Sequence, residues 1–340
     1  LASASTSPFP SSPRPRPLPP LLLRPAPNGT SAPPIVVVAL GGNALLRRGE
    51  EPTAANQARH AAEAASAAAR LFFETFDGRV RLVITHGNGP QVGLLARAQP
   101  AEQLSVLDAE TQGMIGLTLA NELDRALAAS LPPRASACRA PPPSVCLVTR
   151  VVVSEGDPAF SLPPTKPIGP GLSREQAAEA SRRGGPGAAA PTFVEDAATP
   201  GLVRRVVASP APVGIVEIEA IRRLLALDSA PSSQSSSPDS CVGPVICGGG
   251  GGVPVVARGG STGLDAVDAV IDKDATSLLL ASLLGASALL LLTDAEALYD
   301  PGDWEASRRE ERRPEAVPSP ASPGEVEALL PLLPEGSMRP

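Results

Sequence analysis

Six consecutive apolar residues, Ile35-Val36-Val37-Val38-Ala39-Leu40, open the ordered pattern, and so β-branched a run predicts a strand buried on both faces. Gly41-Gly42-Asn43 ends it. An alanine-rich stretch over 53–76 predicts a helix, 80–85 a second buried strand, and His86-Gly87-Asn88-Gly89-Pro90-Gln91-Val92-Gly93 a second loop. Further helices are expected at 105–129 and 216–227, and further strands at 145–153, 244–246 and 288–292. This alternation predicts an α/β fold with an open, mainly parallel sheet and helices on both faces. The apolar run over 278–292 is shorter than a bilayer span and is broken by Gly285, so it divides into a helix end and a buried strand. No transmembrane segment is expected.

The pattern is interrupted near 131–144, 182–192 and 229–243, where Pro, Ser, Ala or Gly displace hydrophobic periodicity and mark surface insertions, and 303–323 reads as an exposed loop. Residues 1–34 are rich in Ser and Pro, carry Arg14, Arg16 and Arg24, and contain no acidic residue, the first being Glu50. That composition resembles an organellar transit peptide, for plastid or mitochondrion, with a plain disordered tail on a cytoplasmic protein as the alternative.

Composition removes several function classes. A net charge of −6 lacks the basic footprint of nucleic-acid binding, and 2% aromatic residues supply few stacking platforms. Cys138, Cys146, Cys241 and Cys247, with His60 and His86, fall at no metal-ligand spacing, so neither a disulfide framework nor a protein-held metal is expected. Among 29 Lys and Arg, Lys166 and Lys273 are the only lysines. In so arginine-rich a chain, a surviving ammonium marks a position that needs a compact, flexible point charge.

The chemistry gathers in three glycine loops that each follow a predicted strand: Gly41-Gly42-Asn43, Gly87-Asn88-Gly89, and the run 248–252. Such loops leave backbone N–H groups free near helix N-termini, where an anion can approach, and ligands of open α/β sheets bind at that edge. Neither the dinucleotide fingerprint nor the G-x-x-x-x-G-K-[ST] phosphate loop is present. Lys166 lies in the turn-rich Pro163-Pro164-Thr165-Lys166-Pro167-Ile168-Gly169-Pro170, and Lys273 between Asp272 and Asp274 at the start of an apolar helix, where carboxylates also serve as caps. N–H donors and two ammonium groups form a sufficient kit for phosphoryl transfer, and an anionic acceptor needs no general base.

Taken with Thr111-Gln112-Gly113-Met114-Ile115-Gly116, Val253-Pro254-Val255 and Val270-Ile271-Asp272-Lys273-Asp274, these segments resemble the carbamate kinases of the amino acid kinase family, in order from about 35 to 338. The resemblance implies a three-layer αβα sandwich with a small projecting subdomain around Lys166, a homodimer, and reversible phosphoryl transfer between ATP and carbamate with Mg²⁺, equivalently ADP with carbamoyl phosphate. It assigns Gly41, Gly42 and Asn43 to the transferred phosphoryl group and Gly87, Asn88 and Gly89 to the carbamate side. Lys166 and Lys273 neutralise phosphates and Asp274 orients them, while Gly249, Gly250, Pro254, Thr293, Asp294, Leu298 and Tyr299 belong to the nucleotide. The run of five glycines is one residue longer than the family's usual four. The chain stops at Gly336-Ser337-Met338-Arg339-Pro340, where the family continues into a further phosphate-binding lysine. The expectation is thus one kinase domain over 35–340, incomplete at its C-terminal end. A different amino acid kinase acting on a carboxylate, and a non-catalytic nucleotide-binding homologue, stay open as alternatives.

Overall fold

The structure, a computed structural model, describes residues 33–42, 45–46, 50–76, 78–100, 102–131, 143–182, 191–196, 199–226, 243–257 and 263–292. The transit-like segment up to 32, most of each expected insertion and the stretch 303–323 lie outside them. Among the described residues no helix is long and apolar enough to cross a membrane.

The core is a five-stranded, fully parallel sheet in the order β12 (Ala288–Leu292), β1 (Ile35–Leu40), β2 (Arg81–His86), β9 (Val245–Ile246), β3 (Val145–Cys146). Every residue of β1 is buried. Side chains alternate across a strand, so Val36, Val38 and Leu40 enter one cluster while Ile35 and Val37 enter the other. The first face is covered by α1 (Ala54–Arg70) and α3 (Leu104–Ala129), through Ala61, Ala65 and Ala68 of α1 and Ile115, Leu119 and Leu123 of α3. The second is covered by α5 (Ile218–Ala226) and α6 (Lys273–Leu284), through Ile221, Leu225 and Leu280. The expected αβα layering is therefore present.

Local signals set the helix ends. The Thr53 hydroxyl accepts from the Asn56 N–H at 3.2 Å and caps α1, and Gly285 ends α6 at φ +61°, a conformation L side chains avoid.

The expected single strand over 145–153 is corrected. It divides into β3, in the parallel sheet, and β4 (Arg150–Val153), in a second sheet ordered β11 (Leu264–Ala266), β10 (Val253–Ala257), β4, β8 (Pro212–Ile215). Thr149 is the transfer point. Its N–H donates to Gln112 Oε1 at 2.8 Å, its carbonyl accepts from Gln112 Nε2 at 3.2 Å, and its Oγ1 accepts from the Gly248 N–H at 2.9 Å. The Thr149 carbonyl also accepts from the Val253 N–H of β10 at 2.9 Å, so a buried carboxamide on α3 and the first residue of β10 together satisfy the backbone where the chain passes between sheets.

A third, antiparallel sheet, β5 (Lys166–Leu172), β7 (Val203–Val207), β6 (Thr192–Glu195), carries α4 (Arg174–Arg182) and its own small cluster of Leu172, Ala177 and Val203. It is held to the main body where α2 (Gln91–Ala98) crosses β5. A Cβ on Gly169 would stand 2.9 Å from the Gly93 Cα, so the two backbones meet where both residues are glycine.

Candidate active site

Loops and lysines converge at the carboxyl edge of the parallel sheet. β1 runs into Gly41 and Gly42, β2 into the loop 87–89, and β9 into the run 248–252. The Gly41 N–H donates to the Leu292 carbonyl at 2.8 Å and the Gly87 N–H to the Leu40 carbonyl at 3.0 Å, so both loops begin as extensions of the strand ladder. A Cβ on Gly87 would stand 3.2 Å from the Gly42 nitrogen and 3.4 Å from the Lys273 Cδ, and one on Gly42 would stand 3.4 Å from the Gly89 Cα. Absent side chains let the first two loops and the lysine stem lie against one another. Asn43, Thr293, Asp294, Leu298 and Tyr299 lie outside the described residues.

The N-terminus of α6 gathers both lysines. Asp272 caps the helix, its Oδ1 accepting from the N–H groups of Asp274 at 2.9 Å and Ala275 at 3.2 Å. Its Oδ2 receives the Lys166 Nζ at 2.7 Å from β5, so one carboxylate is both cap and lysine partner. Burial alone would raise the Asp272 carboxyl, but the charge and hydrogen bond of Lys166, the Ala275 N–H and the charge of Lys273 hold it below the usual carboxylate range. The Lys273 ammonium bonds the buried Asp274 Oδ1. Two ammonium groups therefore stand at the positive end of a helix dipole, beside two stacked glycine loops. Positive charge and free N–H groups gathered in this way have the chemistry to receive an anion.

The third loop is built differently. Gly248, Gly250, Gly251 and Gly252 all have positive φ, and the loop is buried throughout. A Cβ on Gly249 would overlap the His86 imidazole and one on Gly250 the Asn88 carboxamide. Thr276 Oγ1 donates to the Gly251 carbonyl at 2.8 Å, tying the loop to α6. Pro254 is buried in β10 opposite Val151. Gly249 and Gly250 thus pack against His86 and Asn88, Pro254 follows the third loop in β10, and packing by itself demands glycine at 249 and 250.

Buried polar groups on α3 hold the second loop. Asn88 Nδ2 donates to Asp108 Oδ1 at 3.2 Å, and Asn88 Oδ1 accepts from Thr111 Oγ1 at 3.0 Å. Burial pushes the Asp108 carboxyl well above the usual range, against the Asn88 hydrogen bond and with help from the Asp268 charge. Asp108 Oδ2 and both carboxamide atoms of Gln91 have no hydrogen-bond partner among the described residues. Sequence reasoning missed Asp108 and Gln91, and it missed Gln112 as the Thr149 clamp. The available signal was Asp108, Thr111 and Gln112 breaking the apolar face of α3 between Leu107 and Ile115 at helical spacing. Cys247, just before the third loop, is buried, and burial, with smaller pushes from Cys146 and Glu217, raises its thiol to about 12. It is no nucleophile at neutral pH.

No family model matches the chain. Carbamate kinase of Escherichia coli K12 is 42% identical over 278 residues, covering 78% of this chain and 76% of that protein. Among solved structures, carbamate kinase from Giardia lamblia bound to AMP-PNP aligns with a TM-score of 0.59 at 33% identity, covering 78% of this chain and 75% of that one. A crystal structure from Aeropyrum pernix K1 aligns at 0.64, again 33% identical, covering 86% of this chain and 88% of that one. Identity of this order across three quarters of both sequences, on the same α/β scaffold, makes the chain a member of the carbamate kinase family.

Proposed function

We propose that this chain catalyses reversible phosphoryl transfer between ATP and carbamate, with ADP and carbamoyl phosphate as the opposite pair. The reading is carried by the meeting of Lys166 and Lys273 at the N-terminus of α6, against the stacked loops of Gly42 and Gly87. The lysines offset charge on the phosphoryl oxygens as the group moves, each leaving a carboxylate partner it already holds in place. Backbone N–H groups of the first two loops orient donor and acceptor. The acceptor oxygen of carbamate is anionic, so positioning and charge stabilisation suffice. Breakdown of released carbamate to ammonia and CO₂ draws the reaction toward ATP.

Mg²⁺ belongs to this proposal as the companion of the nucleotide. Among the described residues no group of three or more His, Cys, Asp or Glu could hold a metal, and Asp272 and Asp274 are each engaged by a lysine. This donor set suits a cation brought in largely on phosphate oxygens, where it would neutralise charge between the transferring groups. A homodimer is also part of the proposal, supported by the exposed apolar stripe of Val106, Met114 and Leu117 on α3.

The test is ATP formation by the full chain from ADP, Mg²⁺ and carbamoyl phosphate, above spontaneous carbamoyl phosphate decay. Lys166→Ala should lower kcat by about 10²–10³-fold, the range for losing one preorganised charge stabiliser, with folding retained because the Asp272 left behind still caps α6. A near-normal rate in the variant refutes the role of Lys166, and absence of wild-type turnover refutes the activity.

A further inference from the structure

Two glutamines are buried among the glycine loops, Gln91 at the second and Gln112 at the third, and they are treated oppositely. Gln112, 1% exposed, spends its carboxamide oxygen and nitrogen on the Thr149 backbone. Gln91, 3% exposed, spends neither: its Oε1 and Nε2 have no partner among the described residues. Leaving a buried carboxamide unpaired costs free energy, and a fold that satisfies the neighbouring one has no structural reason to bear that cost.

Gln91 is the first residue of α2 and follows the loop Asn88-Gly89-Pro90 directly. A Cβ on Gly89 would overlap the Gln91 Oε1, so the carboxamide folds back onto the loop where glycine leaves room for it. Gly89 in turn packs on Gly42, with Gly42 N close to Gly87. The free carboxamide therefore lies at the junction of the two loops assigned to the transferred phosphoryl group and its acceptor. Two residues onward, Gly93 meets Gly169 of the strand that carries Lys166, so α2 links the carboxamide to the lysine arm.

We infer that Gln91 is an acceptor-binding residue that reads the amide edge of the carbamoyl group, its Oε1 accepting from the substrate N–H and its Nε2 donating to the carbonyl oxygen. This rests on the carbamate kinase reading above. A carboxamide offers one acceptor and one donor side by side, complementary to the O=C–NH₂ edge that separates carbamate from a simple carboxylate. A carboxylate acceptor such as acetate carries a methyl group where the amine should be and leaves Oε1 buried and unpaired. Sites built to hydrogen-bond a substrate N–H discriminate strongly against the analogue that lacks it.

The experiment compares carbamoyl phosphate with acetyl phosphate, its analogue with methyl in place of amine, in wild type and Gln91→Met, which keeps side-chain length and removes both polar groups. Acetyl phosphate is followed as a substrate or, where turnover is absent, as a competitive inhibitor. Wild type should favour carbamoyl phosphate, and Gln91→Met should erode that preference by about tenfold or more, because both compounds lose the bond to the carbonyl oxygen while only carbamoyl phosphate also loses the bond from its N–H. Equal losses on both compounds, or an unchanged preference, overturn the inference and make Gln91 structural. Should Gln91→Met fail to fold, as read by circular dichroism, Gln91→Asn draws the carboxamide back by one methylene and is judged by the same ratio. Absence of wild-type turnover with carbamoyl phosphate removes the functional reading and this inference with it, whereas an active wild type with an unmoved ratio removes only the inference.

Discussion

Acid should unlock the second glycine loop through His86. The ring closes β2 at 1% exposure, its Nδ1 lies 3.0 Å from the Gly87 carbonyl, and its far edge fills the space beside Gly249. The Gly87 carbonyl can only accept, so Nδ1 carries the proton, and in the neutral ring that burial favours Nε2 is left bare. Burial lowers the pKa from 6.5 to about 4, with the Gly87 carbonyl opposing the shift. Between those two values the unfolded chain binds the proton and the folded chain does not, so stability falls as pH falls. A gap of about 2.5 units at ~1.4 kcal/mol each amounts to about 3 kcal/mol, absent above about pH 7 and fully lost near pH 4. Asp108 works in the opposite sense. Its raised pKa means that the folded state takes up a proton before the unfolded one, so acid favours the fold there. Whole-protein melts mix the two effects, so the difference between wild type and His86→Gln is the informative quantity. Urea unfolding of both from pH 7 to pH 4 should show the stability advantage of wild type shrinking by about 3 kcal/mol. The chain contains two histidines, so proton–carbon correlation spectra, with His60→Gln for assignment, follow the ring directly. A His86 ring titrating near 6.5, or parallel stability curves for the two proteins, would refute the reasoning.

The crossing of α2 and β5 makes a second prediction. Gly93→Ala forces a methyl group into the Gly169 backbone and should cost about 1–3 kcal/mol and lower turnover by displacing Lys166, whereas Gly113→Ala on α3, with nothing within 4 Å, should be neutral or stabilising. Equal midpoints for the two variants in thermal melts would contradict it. The proposed dimer is tested by sedimentation velocity: wild type should run as a dimer and Leu117→Glu, placed on the exposed α3 stripe, as a monomer. A monomeric wild type, or a dimeric variant, removes that stripe from the interface.

Short-range pattern alone determined the scaffold of this protein. Ile35–Leu40 could be recognised as a central strand because burial on both faces requires an unbroken apolar run, α1 by its alanine-rich stretch, and the end of α6 by the apolar run that Gly285 breaks. The two lysines and the first two glycine loops were legible for a similar reason, since both stand out against their local background. Their convergence was not legible. Lys166 and Asp272 are 106 residues apart, and their ion pair exists only because β5 packs on α2 while α6 starts beside the loops. The break at Thr149 was equally hidden, because a single Thr-Arg pair inside an otherwise apolar stretch over 145–153 is compatible with one strand, and what holds the break is Gln112, 37 residues earlier. The short strands of the second and third sheets escaped because Pro, Gly and charge dilute their period. The contrast between Gln91 and Gln112 belongs wholly to tertiary structure. Periodicity records whether a side chain faces inward, but whether a buried polar group finds a partner depends on what the rest of the fold brings to it.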